Sequence, residues 1–309
     1  MYTMINVIGD IIIDEYWYGD TKRVSPEAPV PIVDLTRKKI SLGGAGNVYM
    51  NIRSLASDVV LHGYYDESHE YIFNELQATG NLMITSQMPH KLRIFSGSHY
   101  MSRVDAEKRI EENDVQDKFF VPNIYDVVIL SDYNKGTVKD PQRIIKKSKR
   151  TIVDPKVSLD KYKGAFILKP NLKEFEDYIG RKTTGKSLMT EAQRLRHELE
   201  IDHFIVTLGP EGVLYVGDSI EHYEATAQEV FDVTGAGDTF TAALAYGIYN
   251  NLEVQDAVIV ANKMAGLAVS TTGTYVINPK DFNKAMEEIY EYINNRTPRV
   301  YREELMALL

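Results

Sequence analysis

Residues 230–240 read VFDVTGAGDTF, a glycine turn flanked by two carboxylates, Asp232 and Asp238. A glycine turn that opens a helix presents unpaired backbone N–H groups and the positive end of the helix dipole, which suits an anion. Gly235, Ala236 and Gly237 fit that description, with Thr239 to Tyr249 reading as the helix behind them. Asp238 then falls in the first turn, beside the anion. A carboxylate there accepts the proton of an attacking hydroxyl while the amides stabilise charge on a transferred phosphoryl group. The alternative is an aspartate that merely caps a helix and glycines that merely turn the chain. For an isolated loop of this kind that alternative would prevail, so the surroundings must decide.

The elements around the loop alternate. Short Val- and Ile-rich runs, MINVIG (4–9), VVLHGY (59–64), YDVVILSD (125–132), TIVD (151–154), AFILK (165–169) and HFIVTLG (203–209), read as strands. Between them lie helical patterns at 44–56, 67–78, PQRIIKKSKR, from Leu172, and 188–199, and the chain from Ala236 onward is mainly helical. Strand and helix in turn predict an α/β fold, a doubly wound, mostly parallel sheet covered on both faces. Such sheets collect ligands at the carboxyl ends of their strands. Two segments break the rhythm, 14–40 with its prolines and 90–106 (KLRIFSGSHYMSRVD), and suit a small β lid on a single domain spanning 1–309.

Composition narrows the function classes. With 35 Lys and Arg against 44 Asp and Glu, a net charge of −9 argues against nucleic acid as partner. A small anionic substrate still fits if basic groups cluster locally. Cysteine is absent, which suits a reducing cytoplasm and rules out thiolate chemistry. No apolar run approaches the ~20 residues of a membrane span, and the N-terminus lacks a signal-peptide pattern, so no membrane association is expected. The seven histidines show no metal-ligand spacing.

DVTGAGDTF resembles the C-terminal signature of the ribokinase (PfkB) family of carbohydrate kinases, and GGAGNVYMNI (43–52) resembles the N-terminal one. The likeness covers almost the whole chain in the expected order. It implies a ribokinase-like fold, ATP-dependent phosphorylation of a sugar, Asp238 as catalytic base and Gly235, Ala236 and Gly237 as anion hole. It further implies Asp14, Gly43, Gly44 and Asn47 on the sugar, although on spacing alone Asp14 reads equally as a turn aspartate. Asn171 and Glu174 of NLKE, with Lys156 of VDPK, match the triphosphate and Mg²⁺ side, or read singly as a helix cap and surface polar groups. Thr207, Gly209 and Gly212 of TLGPEG match a nucleotide loop, and Asn262 an adenine-side position. Asp232 and Thr234, with carbonyls near Ala268 and Gly273, match a monovalent-cation site, potassium, in some relatives.

The opening GDIIIDEYWYGDTKRVSPEAPVPIVDL, with KLRIF, RVD and LSDYNKG, resembles heptose 7-phosphate kinases. That implies transfer to the C1 hydroxyl of D-glycero-β-D-manno-heptose 7-phosphate, feeding ADP-heptose synthesis. Lys91, Arg93 and Arg103 in the lid, with Lys22 or Arg23, are then candidates for the substrate phosphate, since guanidinium donors match its geometry; each also reads as a solvated strand charge. FSGSHYMS, between Arg93 and Arg103, departs from the more polar pattern expected there. No HxGH nucleotidyltransferase segment follows, so the expectation is the kinase step alone. Lid strands of this family pair between subunits, which implies a homodimer through the lid. Another sugar phosphate, a nucleoside, or a non-catalytic sugar-phosphate and nucleotide binder are the competing readings.

GRKTTGKS (180–187) satisfies the P-loop pattern GxxxxGK[ST]. That loop needs a strand before it, whereas NLKEFEDYI reads as helix with Gly180 as its C-cap. Lys186 is expected to be a loop charge.

Overall fold

The computed structural model describes residues 3–76, 78–107, 109–110, 123–227, 230, 232–271 and 275–294. Runs such as INVIG and VVILS need cover on both faces, and both are strands buried at every position. In chain order the elements are β1 (Ile5–Gly9), β2 (Ile11–Val24), β3 (Pro31–Gly44), α1 (Ala45–Arg53), β4 (Val59–Tyr65), α2 (Glu70–Glu75), β5 (Gly80–Ile84), β6 (His90–Ser96) and β7 (His99–Ala106). There follow β8 (Val127–Ser131), α3 (Pro141–Ile145), β9 (Arg150–Asp154), β10 (Ile167–Leu168), α4 (Leu172–Ile179), α5 (Gly185–Glu198), β11 (His203–Thr207), β12 (Val213–Val216), β13 (Ile220–Tyr223), α6 (Ala236–Tyr249), α7 (Val254–Val269) and α8 (Pro279–Asn294).

The large sheet runs β13-β12-β11-β10-β9-β8-β1-β4-β5. Every neighbouring pair from β11 to β5 is parallel, and β12 and β13 add an antiparallel edge. The period of two sorts the strand side chains onto two cores. Ile5, Val7, Val127, Ile129, Ile152 and Ile205 pack on α1, α6, α7 and α8. Their neighbours Ile8, Val128, Leu130, Val153, Phe204 and Val206 pack on the opposite face with Phe175 of α4 and Leu188, Ala192 and Leu195 of α5.

A second sheet, β3-β2-β6-β7, stands apart from the first. β2 pairs antiparallel with β3 and parallel with β6, and β6 pairs antiparallel with β7. The register puts Asp14, Tyr16 and Tyr18 on one face with Lys91, Arg93 and Phe95, and Tyr18 and Phe95 stack with centroids 5.3 Å apart. β3 has no loop at its end: its last residue, Gly44, is the N-cap of α1.

Some boundaries differ from the sequence reading. The helix expected at 44–56 is 45–53, and the one at 67–78 shrinks to a 3-10 turn at 67–69 and the short α2. Only 141–145 of PQRIIKKSKR is helical, and AFILK contributes a two-residue strand. α5 begins at Gly185 rather than 188, because Thr184 and Ser187 form a capping box there. The β12–β13 hairpin was not anticipated. Upstream of GRKTTGKS lies α4, closed by Gly180 at φ 73°, and Lys186 is exposed in the first turn of α5 rather than in the expected loop. No helix among the described residues is long and apolar enough to cross a membrane.

Candidate active site

Several apolar strands end at one edge of the large sheet, and each delivers a polar residue there. Asp10 follows β1, Asp132 and Tyr133 follow β8, Asp154 closes β9, Lys169 follows β10 and Thr207 closes β11. Asp132, Tyr133, Asp154, Lys156, Lys169, Asn171, Glu174, Thr207 and Gly237 line one cleft. This is where a parallel sheet places its ligands.

Asp238 sits in the first turn of α6, only 4% exposed. Its Oδ2 accepts from Asn47 Nδ2 at 2.9 Å and its Oδ1 from the Tyr133 hydroxyl at 2.7 Å. Asn47 is itself fixed, because its Oδ1 accepts from Asn51 Nδ2 at 3.0 Å. Burial pushes the Asp238 carboxyl up to about 7; the Asn47 and Tyr133 hydrogen bonds oppose that rise, Asp154 adds to it, and Lys169 opposes it. A carboxylate poised there exchanges protons near neutral pH.

Gly235 caps α6 with φ 78°, and a Cβ on it would come within 2.6 Å of Asn47 Nδ2. Both facts require glycine. Beyond it Gly237 faces open space, and the first-turn amides of a helix have no intrahelical acceptor. The loop thus offers donors to an anion beside a buried carboxylate. Ala236 N makes a long 3.4 Å contact with Val233 O.

At the floor of the cleft Lys169, 3% exposed, pairs with Asp154 at 3.1 Å, and Thr241 Oγ1 donates to the same Asp154 oxygen at 3.0 Å. On its wall Asn171 and Glu174 form a reciprocal capping box on α4, each bond 2.9 Å. The other Glu174 oxygen holds Lys156 Nζ at 3.0 Å. The cap reading and the cleft-lining position therefore coexist in the same residues. Gly209 and Gly212 bracket the turn after β11. Asn262 is turned to the chain itself, with Nδ2 donating to Glu224 O at 2.7 Å.

The lid candidates divide. Arg93 Nη1 meets Asp14 Oδ1 at 2.5 Å, so the expected sugar ligand and an expected phosphate ligand hold each other. Burial works against the Arg93 charge, but the hydrogen bond and charge of Asp14 outweigh it and hold the guanidinium above its ordinary pKa. Gly43 is required here too, since a Cβ would lie 2.1 Å from Asp14 Oδ2. Lys91 pairs with Glu107 at 3.5 Å, and Glu107 also holds Lys135 at 2.7 Å. Arg103 is on the exposed strand β7, paired with Asp105 at 2.8 Å. Arg23 lies near the far end of β2, 3.6 Å from Asp34, and neighbouring Lys22 is 3.9 Å from Asp20. Neither is drawn to the cleft.

Asp232 Oδ1 accepts from Thr234 N at 2.9 Å, and Ala268 O accepts from Thr271 Oγ1 at 2.9 Å. Gly273, the other expected carbonyl, lies outside the described residues. Among the described residues no group of three or more His, Asp or Glu is arranged to hold a metal ion. Sequence reasoning missed Tyr133, Asp10, Asp154 and Lys169. Their common signal is position, the residue at or just after the end of an apolar run.

A doubly covered, mostly parallel sheet with a second small β-sheet is a ribokinase-like fold. The profile of the pfkB family carbohydrate kinases matches residues 102–281, and the chain belongs to that family, that of ATP-dependent sugar kinases. Among curated proteins it is 36% identical over 298 residues to the bifunctional protein HldE of Pseudomonas putida (strain GB-1) and 36% over 300 residues to that of Hahella chejuensis. Each alignment covers 91% of this chain and 63% of the relative, so the chain spans less than two thirds of their length. Among solved structures, ribokinase from Thermotoga maritima superposes with a TM-score of 0.74 at 18% identity, covering 93% of this chain and all of that one. Escherichia coli phosphofructokinase-2 in complex with potassium gives 0.76 at 17%, covering 95% and 100%. These two similarities concern the fold.

Proposed function

We propose that this chain phosphorylates the C1 hydroxyl of D-glycero-β-D-manno-heptose 7-phosphate, with Asp238 as general base. The observation that carries the reading is Asp238 itself, buried at a helix N-terminus, lifted to about 7 and oriented by two donors. The heptose assignment is supported by the WYG segment of β2, by the SPEAPVP turn that leads from β2 into β3, and by the similarity to the HldE proteins.

The donor set of the cleft suits a polyphosphate carried with magnesium: two lysines, a run of helix amides and the carboxylates of Glu174 and Asp154. When bound, ATP with Mg²⁺ supplies the phosphoryl group. Lys169 and Lys156 offset its charge, Asn171 and Glu174 line its path, and Thr207, Gly209, Gly212 and Asn262 frame the nucleotide side. Asp14, Gly43, Gly44 and Asn47 hold the sugar, and Asp238 takes the hydroxyl proton while the amides of Gly235, Ala236 and Gly237 stabilise developing charge. Lys91, Arg93 and Arg103 are the lid cations assigned to the substrate phosphate, and Arg93 serves it by exchanging Asp14 for the incoming anion. Arg23 belongs to this set by sequence, and an Arg23→Ala change that leaves the sugar KM unaltered removes it.

ATP consumption across a panel of sugar phosphates, with product position read by phosphorus NMR, tests the assignment. A C1 product from the heptose supports it; a C6 or C5 product excludes it, and no turnover on any sugar points to a binding protein. Asp238→Asn should lower kcat by ~10² to 10⁴ with substrate binding largely kept, and Lys186→Ala should change neither. The reverse result would place phosphate binding at residues 180–187 instead. A potassium ion near Asp232 and Thr234 would show as activity lost when potassium is replaced by tetramethylammonium. A homodimer through the lid would show as a doubled mass in sedimentation.

A further inference from the structure

Tyr133 and Asp10 have no part in the mechanism above, yet together they support its central residue. We infer that Tyr133 is a positioning residue that holds the Asp238 carboxylate in its reactive orientation and charge state, and that Asp10 is the mount for Tyr133. The inference rests on the reading of Asp238 as the base.

Asp10 is fully buried, immediately after β1. Its Oδ2 accepts the N–H groups of Tyr133 and Lys135, both at 2.9 Å, and its Oδ1 accepts that of Thr137 at 2.9 Å. Its own N–H donates to Ser131 O at 3.1 Å, and its carbonyl accepts from Ala45 N at 3.0 Å. One residue thereby ties the 132–137 loop to the end of β8 and to the start of α1.

The loop needs such a tie. Asn134 has a φ of 59°, a left-handed conformation that persists in a non-glycine residue where the surroundings dictate it. Asp132 secures the other side, accepting from Asn134 N at 2.8 Å and from the Tyr162 hydroxyl at 2.6 Å. From this platform the Tyr133 hydroxyl crosses to Asp238 Oδ1 at 2.7 Å, opposite the Asn47 amide on Oδ2.

Both donors favour the ionised carboxylate. The charged groups around the pair come from separate elements: Asp154 at the end of β9, which opposes ionisation of Asp238, Lys169 after β10, which favours it, and Glu174 of α4, which faces Tyr133. Burial and the Asp238 charge keep the Tyr133 hydroxyl protonated well above its ordinary range. It is therefore a permanent donor, and in the absence of sugar it occupies one oxygen of the base.

The test is Tyr133→Phe, which keeps the ring and removes the donor. With D-glycero-β-D-manno-heptose 7-phosphate and MgATP, the acid limb of kcat/KM should move to higher pH by about one to two units, the worth of a hydrogen bond to a charged group. Activity should recover toward that of the unaltered enzyme above the limb. A carbon-13 titration of the Asp238 carboxyl in the substrate-free protein should show the same upward move, whatever sugar is turned over. An unmoved limb and titration, with or without a uniform fall in rate, would overturn the inference. Asp10→Asn should shift the limb in the same direction, and the double variant no further than Tyr133→Phe alone; additive shifts would remove Asp10 from the role. If Asp10→Asn fails to fold, Tyr133→Phe alone decides. Asp238→Asn separates the two levels: full kcat in that variant defeats the base assignment, whereas an inactive variant beside an unmoved Tyr133→Phe limb defeats only this inference.

Discussion

Replacing Asp238 by asparagine should make the protein more stable above neutral pH, with an effect that grows as pH rises from acid to alkaline. In the unfolded chain this carboxyl ionises near its ordinary 3.8, whereas in the fold it is held up to about 7. The folded state thus binds a proton that the unfolded state has lost. Stability from this group is fullest below 3.8 and is lost as pH rises through 7. Roughly three units at 1.36 kcal/mol each gives about 4 kcal/mol against folding above pH 7. At about pH 5 only a little over one unit has been crossed, or roughly 1.6 kcal/mol. Asparagine abolishes both costs but turns an NH₂ toward Asn47 or Tyr133, taking back about 1–3 kcal/mol at either pH. That loss cancels when the two conditions are subtracted. The advantage of Asp238→Asn should therefore be about 2–3 kcal/mol larger at pH 8.5 than at pH 5. Urea unfolding of both proteins at the two pH values measures it directly. An advantage that is equal at both would mean that burial does not hold the carboxyl near neutrality, and the base would lose its physical warrant.

Two further substitutions probe the surroundings of the base. Gly43→Ala places a methyl 2.1 Å from Asp14 Oδ2 and should displace that carboxylate, raising the sugar KM by roughly tenfold or more, with a smaller change in the ATP KM; equal KM values would separate Asp14 from the sugar. Lys169→Met strands Asp154 in the cleft floor and should destabilise by roughly 3 kcal/mol, with Asp154→Asn in the same chain recovering most of it. A double variant as unstable as the single one would show that packing of Lys169, not its charge, matters.

The sheet was readable because a strand covered on both faces must be apolar almost throughout, as INVIG and VVILS are. The β12–β13 hairpin escaped because its strands are four residues each and lie beside a turn that reads as a ligand loop. Helix lengths were overread where a helical composition continued past the point at which packing stops, as in PQRIIKKSKR. Within the site, Asp238, Asn47 and the glycine turn are local and legible. Tyr133, Asp10, Asp154 and Lys169 meet only because strands distant in sequence end side by side. The partners of the cations were equally hidden. Nothing in KLRIF or GDIIID says that Arg93 reaches Asp14, since that follows from the parallel register of β2 with β6, which sets Asp14 opposite Lys91 and Arg93 opposite Tyr16, diagonal neighbours on one face.

The unbroken passage of β3 into α1 gives the lid the character of a lever. At about 3.4 Å per residue, the 14-residue strands β2 and β3 reach roughly 45 Å, and Gly44 lies at their root. Three residues beyond that fulcrum stands Asn47, whose amide grips Asp238. A rotation of one degree at the root sweeps the far end of such an arm by roughly 0.8 Å while scarcely moving Asn47. Any given displacement of the tip is therefore a far smaller displacement at Asn47, and the length of the arm protects the alignment of Asp238.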